Sequence, residues 1–537
     1  MTDTLAPYLD ALKDIKTPPF SFRDLPGFPY SEYSDRLTTY TEAESWYSGE
    51  ALDETVMRSG KEIDLYPVRI NPLRGAVQKH AFSLFGEVGE DDRPLVSPKM
   101  VFHDDTQKKL AEDAEECMYQ VWFESNGRAI QWQNGAIAQV YGGCVFEAVY
   151  DPFDPLLSYP VRIEAHHPKC FLGKPDSSDM FRLREAWIVK PISQEEAKDN
   201  GYTGGFSSDF EVPWLVKHWT KSTYEAWVNN QPVRRWADAP VNAWVPVSAP
   251  NTLGFVPVVY IPHIRVDGFY GENMFDHVKG ILKELNLRVA DYGDAVNTDA
   301  HAYMGMRNVN GAPDVMQIAP NLNVVNVGSS LGIGGNDAVP DLWDLRKERA
   351  SESMSNLVEM LFDQYRRDVF IPRVADGEDE GSQRSGLTLA MRMLSLLWHT
   401  QTERVFWTTG LNLLTRMVLR TLADKAPESG ISIRHATLRV KQDWSPVLPR
   451  DREMLVNEVV ARMGAKLGSP ETLFNILGDI QDSDDEIKRI VEFQKKITEA
   501  TVVQQPFGMG QPGGSAGRKQ VSPGSPTPAS SEKSQQE

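Results

Sequence analysis

FDHVKGILKELNLRVADYGDAV, from Phe275 to Val296, carries Phe275, Val278, Leu282, Leu285, Val289, Tyr292 and Val296 at successive spacings of 3, 4, 3, 4, 3 and 4. That alternation lines these side chains along one narrow stripe of a helix, the kind of seam that a partner helix covers. Lys279, Lys283, Glu284, Arg288, Asp291 and Asp294 fall largely outside it. A second helix is predicted over Arg346–Val369, where Ala350, Met354, Leu357, Leu361 and Tyr365 repeat the idea. At ~1.5 Å rise per residue each helix spans roughly 35 Å. Between them lies a separate insert, residues 301–345, with VMQIAPNLNVVNVG and the loop GSSLGIGGND. Periodicity alone fits a helical hairpin in a globular enzyme equally well.

Downstream, DGEDEGSQRSGLTLAMRMLSLLW (Asp376–Trp398) sets an acidic, glycine-punctuated segment against the start of a long apolar helix. Asp376, Glu378, Asp379 and Glu380 are followed by Gln383 and Arg384, with no apolar side chain before Leu387, so this segment has nothing to bury. Beyond it Leu387, Ala390, Met391, Leu394, Leu397, Phe406, Leu411, Leu414, Met417, Val418 and Leu422 recur at helical spacing, with no proline until Pro427.

Upstream, INPLRGAVQKHAFSLFGE (Ile70–Glu87) predicts a short amphipathic helix ending at Gly86, with Val77, Ala81, Leu84 and Phe85 on one face. Helices are also predicted over Asp105–Ser125 and Gly127–Tyr141. From Cys144 to Ile264 the period changes to two, in CVFEAVYD, VRIEAHH, REAWIVK, PWLVKHW, YEAWVN and GFVPVVYIPHI, which reads as mostly antiparallel β structure. Its tryptophans, Trp187, Trp214, Trp219, Trp227, Trp236 and Trp244, are read as strand packing rather than a sugar platform. Past Pro446 the chain turns helical again. Ser469 and Pro470 suit a helix start, and Ser483 with Glu486 has capping-box spacing. Gln504–Glu537 is dominated by Gly, Pro, Ser and Gln and is expected to be disordered.

A net charge of −19 over 537 residues excludes a protein that grips nucleic acid over its whole surface, since phosphate affinity comes from Lys and Arg. An acidic wall suits a surface along which DNA slides without sticking. No apolar run reaches the ~18 residues that cross a bilayer. The acidic start MTDTLAPYLDALKD is unlike a signal peptide, which points to a cytosolic protein. Cys117, Cys144 and Cys170 lack CxxC spacing and are read as reduced packing residues.

The search for chemistry returns no catalytic residue, no metal site and no cofactor. GSSLGIGGND lacks the GK[ST] of a phosphate loop. His166 and His167 are adjacent on a strand and point to opposite faces. Asp482, Asp484, Asp485 and Glu486 lack the glycine and the glutamate spacing of a calcium loop. HExxH is absent.

The collinear order of these parts resembles the portal proteins of tailed bacteriophages over most of residues 40–500. SWYSG (Ser45–Gly49), the Ile70–Glu87 helix, the G-V-P-V strand at Gly254 followed by GFYGENMFDHVKGILKELN, RSGLTLAMRMLSLL, DWSPVLPRD and GSPETLFNILGDIQDSDDEIKRIVEFQKK carry the resemblance. It implies an α+β portal fold with a mixed α/β wing, a two-helix stem, a small β-containing clip, a long tunnel helix and an α-helical crown. On this chain the implied division is arm and wing 1–265, first stem helix 266–300, clip 301–345 and second stem helix 346–371. The tunnel loop follows at 372–386, the tunnel helix and return to the wing at 387–450, the crown at 451–503 and the tail at 504–537. The implied assembly is a homo-oligomeric ring of twelve subunits at one capsid vertex. DNA is packaged through it by the large terminase and later ejected, and head-completion and tail proteins attach to it. Other implied partners are the major capsid and scaffolding proteins and double-stranded DNA passing without sequence specificity, with no membrane. The loop residues Asp376, Glu378, Asp379, Glu380, Gln383 and Arg384 would face the DNA. The stem seam would be Phe275, Val278, Leu282, Leu285, Val289, Tyr292, Val296, Met354, Leu357 and Leu361. Competing expectations are an acidic, aromatic-rich hydrolase, which would be a compact monomer or dimer, and a non-portal adaptor ring.

Overall fold

A computed structural model describes residues 20–52, 56–58, 61–63, 69–86, 94–206, 212–232, 248–300, 302–307, 315–319, 322–326, 341–344, 352–377, 391–447, 452–465, 467, 473 and 486–495. The chain divides into two units, Met1–Pro449 and Arg450–Glu537.

After a short turn at Phe20–Asp24, the first unit has helix α1 (Tyr30–Ser48). Its buried face, Tyr33, Leu37, Tyr40, Ala43 and Trp46, has helical spacing but is built largely of aromatics, which carry little helix propensity. Gly49, at φ +93°, ends it. A hairpin of β1 (Val56–Arg58) and β2 (Lys61–Ile63) precedes α2 (Leu73–Phe85), which stops before Gly86 as its pattern predicts. After β3 (Val96–Val101) come α3 (Asp105–Glu124), capped by the Asp104 carboxylate on the Gln107 N–H, and α4 (Gly127–Tyr141).

Antiparallel β structure follows, as the change of period predicts. The strands are β4 (Gly143–Tyr150), β5 (Val161–His166), β6 (Phe171–Pro175) and β7 (Leu183–Pro191), with a short helix α5 (Gln194–Asp199) before β8 (Trp214–Thr220), β9 (Thr223–Val228), β10 (Gln231–Pro232), β11 (Ser248–Pro250) and β12 (Val258–Pro262). They form one sheet in the order β10-β9-β8-β7-β6, with β11 also on β9, and a second in the order β12-β4-β5. Trp187 and Trp227 are buried between Phe22, Phe28 and Tyr33, consistent with packing; Trp236 and Trp244 lie outside the described residues.

Helix α6 spans Lys279–Ala300 and begins after a short turn at Asp276–Val278, later than the pattern from Phe275 suggests. The insert holds β13 (Ala302–Arg307), β14 (Val315–Ala319), β15 (Leu322–Asn326) and β16 (Asp341–Asp344), ordered β14-β15-β13-β16 with β13 and β15 parallel. GSSLGIGGND lies outside the described residues. Helix α7 is described over Glu352–Asp368 and α8 over Leu394–Lys425. At 32 residues α8 is ~48 Å long. It ends at Lys425, with Ala426 as its C-cap immediately before Pro427. Helix α9 (Ile433–Ala436) leads to β17 (Arg439–Trp444), which pairs with β3.

The main core lies where α8 crosses β4 and β12. Trp407, Leu411, Leu414 and Val418 pack with Phe85, Trp122, Phe146 and Ile261. A second cluster joins α1, α2, α6 and α7 through Trp46, Val77, Phe275, Val278, Leu282, Tyr365 and Val369. Cys117, Cys144 and Cys170 are free and buried. The second unit contains helix α10 (Arg452–Gly464) and helical residues 486–495. Ser469, Pro470, Asp482, Ser483, Asp484, Asp485 and the tail from Gln504 lie outside the described residues. Among the described residues no helix is long and apolar enough to cross a membrane.

Candidate functional site

Helices α6 and α7 pack along one another. The seam read from the sequence is covered unevenly. Phe275, Val278, Leu282 and Leu285 are fully buried, Val289 and Tyr292 are half-buried, and Val296 is 43% exposed. On α7, Tyr365 is buried, Met354 and Leu361 are half-buried, Leu357 is 36% exposed and Met360 is 60% exposed. Four seam residues therefore belong to the chain's own core. The remainder lie where two helices alone cannot enclose both faces.

The lower end of α7 is tightly fastened. Phe370 sits at φ +58°, the left-handed conformation normally left to glycine, and Ile371 N–H bonds back to the Arg366 carbonyl at 2.9 Å. Burial of Ile371 and stacking of Phe370 on His399, with ring centroids 4.8 Å apart, hold that strained turn. After Pro372, Arg373 reaches back to clamp the Asp363 carboxylate with Nε at 2.9 Å and Nη2 at 2.6 Å, and it meets Glu359 at 3.2 Å. Asp376 closes the short turn Arg373–Asp376 and Gly377 follows at φ +79°. Glu378, Asp379, Glu380, Gln383 and Arg384 lie outside the described residues. The acidic segment thus leaves from a rigid anchor. Beside that anchor is a cavity of about 860 Å³, lined by Arg366, Arg367, Phe370, Leu394, Trp398 and His399 among others.

Beneath the anchor is a polar cluster that the apolar periodicity does not reveal. Glu403 of α8 is fully buried and its Oε1 accepts from His263 Nε2 at 2.6 Å and from Gln139 Nε2 at 2.8 Å, with His399 Nε2 at 2.9 Å. The second nitrogen of His263 faces the Glu272 carbonyl at 3.0 Å. Burial pushes the Glu403 carboxyl up, but His263 and His399 outweigh it and hold the group below the usual carboxylate range. His80 of α2 donates Nε2–H to the Val369 carbonyl at 2.7 Å, and burial beside His399 lowers it to about 4. The available signal was a gap: between Leu397 and Phe406 the inward positions of α8 are His399, Thr400 and Glu403.

A second buried carboxylate, Glu147, takes hydrogen bonds from His166 at 2.8 Å, Trp219 Nε1 at 2.9 Å and Lys217 Nζ at 3.1 Å. Burial raises it, while Lys217 and His166 together drive it below the ordinary range. It is a satisfied ion pair tying β4, β5 and β8. His167 makes separate contacts, accepting from the Lys169 N–H at 3.2 Å and lying edge-on to Tyr141.

A helix pair with uncovered apolar side chains and a clamped take-off for an acidic segment are features of a self-assembling structural component. Residues 215–500, just over half of the chain, match the family of phage portal proteins of the SPP1 Gp6-like type, and the chain belongs to that family. Among curated proteins none matches the sequence. The family is structural and non-enzymatic, and membership implies a homo-oligomeric ring acting with capsid and DNA at the portal vertex of a virion.

Proposed function

We propose that the chain forms a twelve-membered ring through which double-stranded DNA is packaged by the large terminase and later ejected. Capsid and scaffolding proteins surround the ring in this reading, and a head-completion adaptor closes it. Assembly takes place in the host cytoplasm. Helices α6 and α7 serve as the stem, the β13–β16 insert as the clip, residues 372–386 as the tunnel loop and the helices beyond residue 450 as the crown. The observation that carries this reading is the pair of long helices on which Val296, Leu357 and Met360 stay exposed while Leu282 and Leu285 on one helix and Tyr365 on the other are buried. A head-to-tail neighbour would cover them, and such contacts close into rings.

Asp376, Glu378, Asp379 and Glu380 then line the passage. Fixed charges act on a confined polyanion within the ~8 Å Debye length, and acids repel phosphate weakly instead of holding it. Changing all four to Lys should leave rings intact but arrest or slow DNA translocation, because each new cation can hold a phosphate. Packaged DNA length per particle at fixed salt is the measurement. Full-length packaging by the lysine variant would return the segment to a plain connector.

A further inference from the structure

We infer that His80, His399 and Glu403 form a binding site for one divalent transition-metal cation of the zinc class, supported by His263 and Gln139. One ring nitrogen of each histidine and one carboxylate oxygen lie within 4.8 Å of one another. His80 and Glu403 have no exposed surface, and His399 is 8% exposed. Two imidazoles and one carboxylate are a donor set that zinc accepts, with a fourth position for water. Metal–ligand distances of about 2.0–2.2 Å require the three donors to close inward by about an ångström.

Hydrogen-bond accounting points to a cation. The Val369 carbonyl can only accept, so the His80 proton sits on Nε2 and Nδ1 is left as a bare lone pair. Nδ1 has no partner. Neither has Glu403 Oε2, although Oε1 collects several donors. His399 Nε2, 2.9 Å from Oε1, is off the hydrogen-bond direction and is likewise unpartnered. His80 and Glu403 thus each present a buried atom with no hydrogen-bond partner, His399 Nε2 lies beside them against Glu403 Oε1, and a metal ion is a species that draws on several lone pairs at once. The surroundings have the form that orients metal ligands. The far nitrogen of His80 donates to a backbone carbonyl, and the far oxygen of Glu403 is held by His263 and Gln139. His399 and Glu403 stand one helical turn apart in HTQTE on α8, and His80 comes from α2. A bound ion would link these helices and, through Val369, the end of α7.

The site lies within one chain, so its test does not depend on ring formation. Full-length protein stripped with EDTA and titrated with Zn²⁺ alone should take up one ion per subunit, with a rise in thermal midpoint. Co²⁺ in its place should show the intense visible absorption of a four- or five-coordinate nitrogen–oxygen site. His80→Gln keeps an N–H for the Val369 carbonyl but removes Nδ1, and should weaken uptake by roughly 10–100-fold or more. His103→Gln, at an exposed histidine, should change nothing. Circular dichroism checks that His80→Gln folds; if it does not, the wild-type Co²⁺ spectrum decides. No uptake by the wild type, undiminished uptake by folded His80→Gln, or only the weak absorption of six-coordinate Co²⁺ would overturn the proposal. The cluster would then be a hydrogen-bonded network only.

Discussion

Replacing Leu357 and Met360 together with Asp tests ring formation through the faces of α7 left uncovered in a single chain. Full burial of a leucine or methionine side chain contributes ~1.5–3 kcal/mol, and the two residues retain 36% and 60% of their exposure, so about 2 kcal/mol per interface is available from them. That alone is roughly a 30-fold weakening of each contact. Desolvating two introduced carboxylates adds several kcal/mol more, and in a closed ring the loss recurs at every interface. The monomer should lose less than it would from a core substitution, because Met360 is mostly exposed and Leu357 only partly covered within one chain. Leu282→Asp provides the contrast. Leu282 is fully buried inside one chain with Phe275, Val77 and Tyr365, so its replacement should unfold the base of the helix pair instead of merely separating subunits. Mass photometry over a concentration series, with thermal melting by circular dichroism, reads both effects. Rings at wild-type concentrations from the Leu357/Met360 double variant would refute the assignment of that face to a neighbouring subunit.

Backbone geometry and pH supply two further predictions. Gly142 has φ +79°, and an added Cβ would sit 2.2 Å from the Gly271 carbonyl oxygen, whereas Gly430 has the same φ with no atom within 4 Å. Gly430→Ala should therefore cost only about 1–2 kcal/mol for the left-handed backbone, and Gly142→Ala distinctly more; equal urea midpoints would contradict the steric account. His167 is lowered to about 3 by burial and by Lys169, while an unfolded histidine titrates near 6.5. Between those values the unfolded chain binds the extra proton, so stability falls as pH falls, by at most about 1.4 kcal/mol per pH unit from this group. His167→Asn keeps an acceptor for the Lys169 N–H and should remove that part of the slope; unchanged slopes from pH 6.5 to 4 would sink it.

Much of the molecule was determined by local chemistry that a linear sequence displays. The 3,4 spacing of Phe275–Val296 marked α6, the change to a period of two marked the β region, and Gly86 and Pro427 marked helix ends, because periodicity and punctuation act within a few residues. The ordered arrangement of those segments also carried the family. Helix α1 escaped because its buried stripe is mostly aromatic, and side-chain packing overrides weak propensity only once the partner surface exists. Only the tertiary structure divided the seam between core and surface: Leu282 and Val296 have equivalent places in the pattern, yet Leu282 is fully buried and Val296 is 43% exposed. What covers a helix face depends on elements far away in sequence. The histidine–carboxylate cluster is the extreme case. His80, Gln139, His263 and Glu403 come from four separate segments, and their lone pairs acquire meaning only when burial removes water and leaves each atom with the partners the fold supplies.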